Sequence, residues 1–495
     1  MDILAFDISI LFTFENLFSI LLGTFVGLIF GALPGLGALM AMIVLLPLTF
    51  DMSAIAAVLL LLAAYQSAEY GGSISAVTMG IPGTPAAAAT VLDGHPYAKK
   101  EGVGKALAYS LTASTIGGLA GGLALIFLAK PFADFALKLS ETEYFLIALI
   151  GLITVSLISK DLIKGLISMV LGLMLGTVGL DMFTGEQRFT MGSPELLNGI
   201  DIMALLVGVF AIPEIFKLIT RELDTTYDVN KEKMKVRLKR RDLKGHARPI
   251  SIGSITGIVM GIIPGLGSVT ASWVSYIFSK NTSKNKDSYG KGNPKGITSA
   301  ESSNNGAVAS SLIPLFALGI PGNVAAAIVM GAFIIHGIRP GPRIFENESN
   351  IVYGVLIGFL LTTVAMYIVG KFVTSLFTHI LTVSNKTLVP LIFMITIVGV
   401  FAANNLYFDL WVALLIGIVG YILLELNFSL PTLVISFILA PIIEESFRRA
   451  LLMSDGSYTV FVTRPFSLIL IIIIVLIFLF PLVKKQRERK KIKTS

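Results

Sequence analysis

The chain has 495 residues, is 55% hydrophobic and only 14% charged, and has a mean hydropathy of +0.84. A water-soluble domain of this length carries nearer a quarter charged residues, so that class is excluded. The net charge of +7 reads as a record of membrane orientation rather than nucleic-acid binding. With no cysteine, disulfides, thiolate metal sites and cysteine nucleophiles are excluded as well.

Apolar segments predict membrane helices near 17–50 and 54–92, both interrupted, then 106–129, 143–158, 162–180 and 201–219. They resume near 251–278 and 306–335, again interrupted, then 351–370, 387–403, 410–426, 430–443 and 465–483. The expectation is an all-α polytopic membrane protein with about 12–14 membrane segments. The N-terminus has acids and no Lys or Arg before its first apolar stretch. That is the reverse of a secretory signal peptide, so the first segment is expected to persist. A basic stretch from Lys217 to Arg248 divides the chain. The predicted organisation is a first membrane repeat at 1–220, a cytoplasmic linker at 221–250, a second repeat at 251–464, and an extra helix with a basic tail at 465–495.

Basic loops mark the cytoplasmic side. These are Lys99, Lys100 and Lys105, then Lys160 and Lys164, the divider, the SKNTSKNKDSYGKGNPKG loop at 279–296, and the KKQRERKKIK tail. Acidic or mixed stretches are expected outside: Asp2, Asp7 and Glu15, then Asp51, Asp181, Glu186 and Glu195, Glu346 and Glu348, and Glu444 and Glu445. The N-terminus is therefore expected outside and the C-terminus in the cytoplasm.

The two halves share a motif. Gly31, Pro34, Gly35, Leu36 and Gly37 recur as Gly261, Pro264, Gly265, Leu266 and Gly267, and the GIPG at 80–83 recurs at 319–322. Acidic LTFDMS follows the first break, whereas the Lys-rich loop follows its copy; AKKEGVGK follows the first GIPG, whereas mixed RPGPRIFENESN follows the second. Related halves with reversed loop charge predict two inverted-topology repeats with discontinuous or re-entrant helices. Matching breaks in such halves predict a central site of a secondary transporter.

A broken helix offers N–H groups at one half-helix end and carbonyls at the other, each end carrying about half a unit charge. An anion suits the first and a cation the second. Glycine there permits close approach and unusual backbone. Gly27-x-x-x-Gly31 and Gly257-x-x-x-Gly261 are equally small-residue faces for helix packing, and a lone Pro–Gly serves as an ordinary kink. Hydroxyl and amide groups cluster nearby: Ser67, Ser73, Ser75, Thr78 and Thr84, then Ser268, Thr270, Ser272, Ser302, Ser303, Asn304, Asn305 and Asn323. Each could bond a carboxylate or coordinate Na⁺, or bond nearby backbone instead. The interrupted segments contain no Lys or Arg. An anionic substrate would depend on helix N-termini and a co-bound cation.

The expected substrate site comprises Pro34, Gly35, Gly37, Ser73, Ser75, Gly83 and Thr84 with Pro264, Gly265, Gly267, Ser268, Thr270, Asn304, Asn305, Gly322 and Asn323. Glu69 and Glu301 are the candidate cation-coupling acids, because a carboxylate at membrane depth is costly. Glu301 adjoins a polar stretch, where hydration would suffice. No cofactor is expected beyond Na⁺ or H⁺ as coupling ion, with Na⁺ at backbone carbonyls near the breaks. His336, in IIHGIRPGP, and Asp93, in LDGHP with His95, have no second His or Cys nearby, so neither reads as a metal ligand. His246, in the basic divider, reads as solvated.

Two other classes compete. An intramembrane enzyme would use Glu69 or His336, but the chain shows no paired intramembrane aspartates, no HExxH and no nucleophile with a nearby base. A passive anion channel could be built on the same repeats. GKGNPKG lacks the Walker spacing and is not read as a nucleotide loop.

GALPGLGALMAMIVLLPLTF, YGGSISAVTMGIPGTPAAAATVLDGHPYAKK, AESSNNGAVASSLIPLFALGIPGNVAAAIVMGAFIIHGIRPGP and APIIEESFRRALLMSDG resemble the large membrane subunit of the tripartite tricarboxylate transporters. These blocks cover much of 20–125 and 250–345, plus 420–464. The family pattern places a proline before the acid at 301, where this chain has Ala300. The resemblance implies import of citrate-like di- or tricarboxylates on a Na⁺ or proton gradient. It also implies a small membrane subunit, an extracytoplasmic solute-binding protein and a prokaryotic cytoplasmic membrane.

Overall fold

Helix α1 (Phe14–Ala32) begins after Thr13, whose hydroxyl accepts the Asn16 N–H, and ends two residues before Pro34. Leu33 is extended there (φ −84°, ψ 113°), as a residue preceding proline prefers. Gly35 (φ 101°) and Gly37 (φ 67°) then turn the chain through left-handed backbone into α2 (Gly37–Leu45). These observations come from a computed structural model that describes residues 6–157, 159, 161–220, 238–239, 241–373 and 385–477. Asp2, Lys160, most of the divider, residues 478–483 of the last apolar segment and the KKQRERKKIK tail lie outside the described residues.

Two helices run side by side next. In α3 (Ala54–Met79), Leu60, Ala64 and Ala68 present backbone carbonyls to Gly23, Gly27 and Gly31 of α1, and a Cβ on any of these glycines would collide with them. The order of contacts makes α1 and α3 parallel. Glu15 accepts the Ser53 N–H at 2.6 Å, so α1 starts beside the start of α3. Because α2 returns within a few residues of Ser53, α1 and α2 form a helical hairpin whose tip lies well along α3. Helix α3 has 26 residues, about 39 Å at 1.5 Å per residue, and can cross the bilayer. It ends at Gly80 in the left-handed region (φ 72°, ψ 14°). The GIPG loop folds back, with the Gly83 N–H donating to Gly72 O at 3.1 Å. It leads through the Pro85–Ala87 turn into α4 (Ala88–Glu101) and the long α5 (Val103–Ala136). Then come α6 (Glu141–Leu157), α7 (Leu162–Gly176) and α8 (Ile202–Thr220), the last with a π-helical turn at Val207–Ala211.

The second half repeats these shapes. Helix α9 (Ala247–Ile262) ends at Ile263 (φ −83°, ψ 115°), Gly265 and Gly267 take φ 91° and 57°, and α10 (Gly267–Asn281) returns. Gly253, Gly257 and Gly261 of α9 abut α11 (Pro294–Ser310) at Ser299, Ser303 and Ala307. After α12 (Ile313–Leu318), Gly319 (φ 71°, ψ 18°) matches Gly80, and α13 (Val324–Ile335) matches the return helix. Next comes α14 (Ser349–Val373), then α15 (Asn385–Asn404), α16 (Tyr407–Glu425), α17 (Leu430–Leu452) and α18 (Pro465–Ile477). Among the described residues seven helices are long and apolar enough to span a membrane, and six shorter apolar helices accompany them.

Packing exchanges elements between the halves. Gly117 and Gly121 of α5 lie against Ser302 and Gly306 of α11, while Gly354 and Gly358 of α14 lie against Ile55 and Leu59 of α3. Helices α15 and α16 pack on α8, with Gly208 against Ala413 and Gly417 against Ile212. Contacts group residues Met1–Asp134 and Asp201–Glu425 into one compact unit, and Phe135–Ile200 and Leu426–Ser495 into another. The second unit pairs α6 and α7 with α17, Gly172 and Gly176 meeting Leu433 and Ala440. In its 177–201 loop, Asp181 accepts from Arg448 at 2.8 Å and Arg188 donates to Glu444 at 2.7 Å.

Two expectations fail, those for Glu301 and His246. Residues 297–306, too polar to register as an apolar segment, form most of α11, and Gly296–Ser310 are all buried. Glu301 is thus fully buried rather than hydrated. Glu444 and Glu445 lie near the C-terminal end of α17, their charges met by Arg188, Arg448 and Arg449. His246 is 4% exposed rather than solvated, stacked on Tyr109 at 4.8 Å and bonded to Thr298.

Candidate functional site

The hairpin tips meet the GIPG loops. The Gly265 N–H donates to Gly322 O at 2.8 Å, and Gly37 faces Gly83 O in the other half. Gly83 itself lies against Gly31 O and Ser75, with no room for a Cβ, and Gly322 lies against Ser311 O, also too close for one. Gly35 is exposed at its tip, whereas Pro34, Pro264 and Gly265 are half-buried. Neither α2 nor α10 has a side-chain cap, so their first-turn N–H groups have no side-chain acceptor. Helix α13 differs, because Asn323 Oδ1 accepts the Ala326 N–H at 2.8 Å.

The halves then bond across. Ser268 Oγ, in the first turn of α10, donates to Glu69 Oε1 at 3.2 Å, and Asn304 Nδ2 donates to Glu69 O at 3.3 Å. Thr84 faces the same carboxyl group. Asn323 Nδ2 donates to the Tyr65 hydroxyl at 3.0 Å. In return, Glu301 accepts from Thr90 and, at 2.8 Å, from Ser114, both of the first half. Helix α10 packs on the Pro85–Ala87 turn and α13 packs on α2, so each half's break lies against the other's.

Several buried polar atoms here lack a protein partner: Ser67 Oγ, Ser303 Oγ, Asn304 Oδ1 and both side-chain polar atoms of Asn305. Buried groups of this kind ordinarily find a hydrogen bond, and each left open costs about 1–3 kcal/mol. Of these, Asn304 lies where α3 and α11 meet, beside Glu69, and its open Oδ1 is a group that a polar ligand or ion could complete. Other candidate hydroxyls already have partners. Ser73 donates to Tyr70 O and shares a bond with Ser110, Ser75 donates to Gly72 O, and Thr78 to Ile74 O. Ser272 and Ser302 likewise bond backbone carbonyls. Thr270 is half-buried on α10.

The two acids are not counterparts. With Ala64 matched to Ser303 and Ala68 to Ala307 by the glycines above them, Glu69 falls opposite Val308 and Glu301 opposite Leu62. Tyr65 falls opposite Asn304, and Thr84 opposite Asn323. Sequence reasoning missed Tyr65, Thr90 and Ser114. Tyr65 could have been found as the residue one helical turn before Glu69. Among the described residues no group of three His, Cys, Asp or Glu could hold a metal ion.

Two broken-helix hairpins whose tips meet the GIPG loops beside buried polar groups are irregular backbone of the kind that membrane proteins keep packed within protein. The model of the tripartite tricarboxylate transporter TctA family matches residues 17–435, and the chain belongs to that family, one of transporter subunits rather than enzymes. It is 36% identical over 449 residues to an "Uncharacterized 52.8 kDa protein in TAR-I ttuC' 3'region" of Agrobacterium vitis, covering 90% of this chain and 89% of that one. A second protein of that organism, "Uncharacterized protein in TAR-II ttuC' 3'region", is 36% identical over 214 residues, covering 43% of this chain and 88% of its own length. No solved structure matches the chain.

Proposed function

We propose that the chain imports citrate-like di- or tricarboxylates by coupling them to a Na⁺ or proton gradient. It does so as the large subunit of a tripartite system with a small membrane subunit and an extracytoplasmic solute-binding protein. The two halves act as inverted repeats in the prokaryotic cytoplasmic membrane. The observation that carries the reading is the pair of uncapped helix N-termini, at Gly37 and Gly267, beside a buried polar cluster in segments without Lys or Arg. Helix N-termini attract anions, and the freed carbonyls and Glu69 attract the cation that offsets the substrate's remaining charge. Alternation would expose this site to one side and then the other as the hairpins rock.

The test is uptake of a panel of labelled carboxylates into proteoliposomes, with and without the two partners, under separate Na⁺ and proton gradients. Accumulation of a di- or tricarboxylate above its equilibrium level, driven by one of the two gradients, is expected. Equilibration without accumulation would favour a passive channel instead.

A further inference from the structure

A cavity of about 750 Å³ lies far from the breaks, at the open end of the α9–α10 hairpin. Its walls are the first turns of α9, the last turns of α10 and the loop leading to α11. Among the described residues three cations line it, Arg248, Lys284 and Lys295, and no acid does. None of the three is in an ion pair among the described residues. A volume of this size suits a small ligand with its hydration shell.

The loop wall is fixed rather than merely solvated. Asp93 of α4 reaches across from the first half, and its Oδ1 accepts the N–H groups of Gly290, Gly292 and Asn293 at 2.7–2.9 Å. Its Oδ2 accepts from the Tyr276 hydroxyl at 2.9 Å, and Lys100 Nζ donates to Lys291 O nearby. Asp93 is 0% exposed, so its own charge is used up inside the wall while the lysines face the cavity. The positive-inside tendency alone explains lysines in this loop. It does not explain a walled cavity lined by one sign of charge, where field lines concentrate and counter-ions gather.

We propose that this cavity is a second anion site that takes a multivalent carboxylate, the transported acid once it has reached the cytoplasm. This identity of the ligand rests on the transport reading above. Occupied by internal acid, the site would hold the α9–α10 hairpin and slow further import. Asp93 acts as a positioning residue.

The test is equilibrium binding of labelled citrate to the purified chain in nanodiscs of neutral lipid, with inorganic phosphate and acetate as competitors. Uptake into empty vesicles and into vesicles preloaded with citrate is measured in parallel. Wild type is expected to bind citrate at two sites, the second at least tenfold tighter for citrate than for acetate or phosphate. Arg248→Gln/Lys284→Gln/Lys295→Gln should lose the second site and the inhibition by internal citrate, and Asp93→Asn should weaken both. Lys291→Gln, outside the lining, should change neither. Uptake into empty vesicles reports the central site alone and should stay at the wild-type level in the triple variant. Two intact sites and unchanged internal inhibition in the triple variant would overturn the proposal, as would equal displacement by acetate.

Discussion

Glu69 is buried at membrane depth with one oxygen bonded to Ser268, and no Lys or Arg lies in the surrounding interrupted segments. A carboxylate so placed needs a proton or a cation to be stable there. Glu69→Gln is therefore expected to alter the Na⁺ and pH dependence of uptake more than the amount of protein in the membrane. Unchanged profiles would leave Glu69 a structural residue. Asp181 gives an independent pH prediction outside the spanning helices. The N–H groups of Phe183 and Thr184, then the Arg448 guanidinium, lower its pKa from 3.8 to about 2. A carboxylate with a lowered folded pKa stabilises the fold fully above its unfolded value and loses that effect as pH falls through the folded one. Proteolytic protection of the 177–201 loop should thus hold at pH 5 and decline between about pH 4 and 2, and Asp181→Asn should weaken it already at pH 7. Glu69 and Asn304 were legible because charge and amide groups stand out in apolar sequence. Tyr65 was marked only by its place one helical turn before Glu69, because a tyrosine in an apolar helix carries no mark of the bond its hydroxyl makes.

At the scale of elements, the glycines of the two motifs serve helix packing and chain reversal at different positions. Gly27 and Gly31, like Gly257 and Gly261, let two helices touch, whereas Gly35, Gly37, Gly265 and Gly267 bend the chain through positive φ. Spacing alone did not separate the two uses. Gly31→Val should place its side chain into the backbone of α3 at Ala68, costing about 1–3 kcal/mol or more. The expected result is reduced membrane abundance by immunoblot; wild-type abundance would contradict the packing role. The breaks themselves could be read from Pro–Gly pairs in long apolar runs. Helix α11 could not, since hydropathy treats its Ser- and Asn-rich turns as loop. Those turns are buried because α5, α9 and α10 surround them with small residues and hydrogen bonds.

For the whole molecule, three of the basic stretches expected in the cytoplasm lie together. The 95–105 turn, the end of the divider and the 282–295 loop are joined by the Lys100–Lys291, Tyr109–Asp242 and Asp93 contacts. Ser53 and Glu15 are joined at the start of α3. With the basic end in the cytoplasm, Ser288→Cys in this thiol-free chain should be labelled only from the cytoplasmic side. Labelling from the exterior alone would reverse the proposed orientation. The exchange of α5 and α14 between halves was not legible, because nothing in local periodicity specifies which distant helix a glycine face will meet.

The most direct measurement is labelled-citrate uptake by proteoliposomes that hold the full tripartite system with the wild-type chain, Gly35→Leu or Gly265→Leu, at equal reconstituted amounts. If the two tips present main-chain groups to the substrate, both variants insert and neither accumulates citrate. Wild-type uptake by both would show that the solute binds elsewhere.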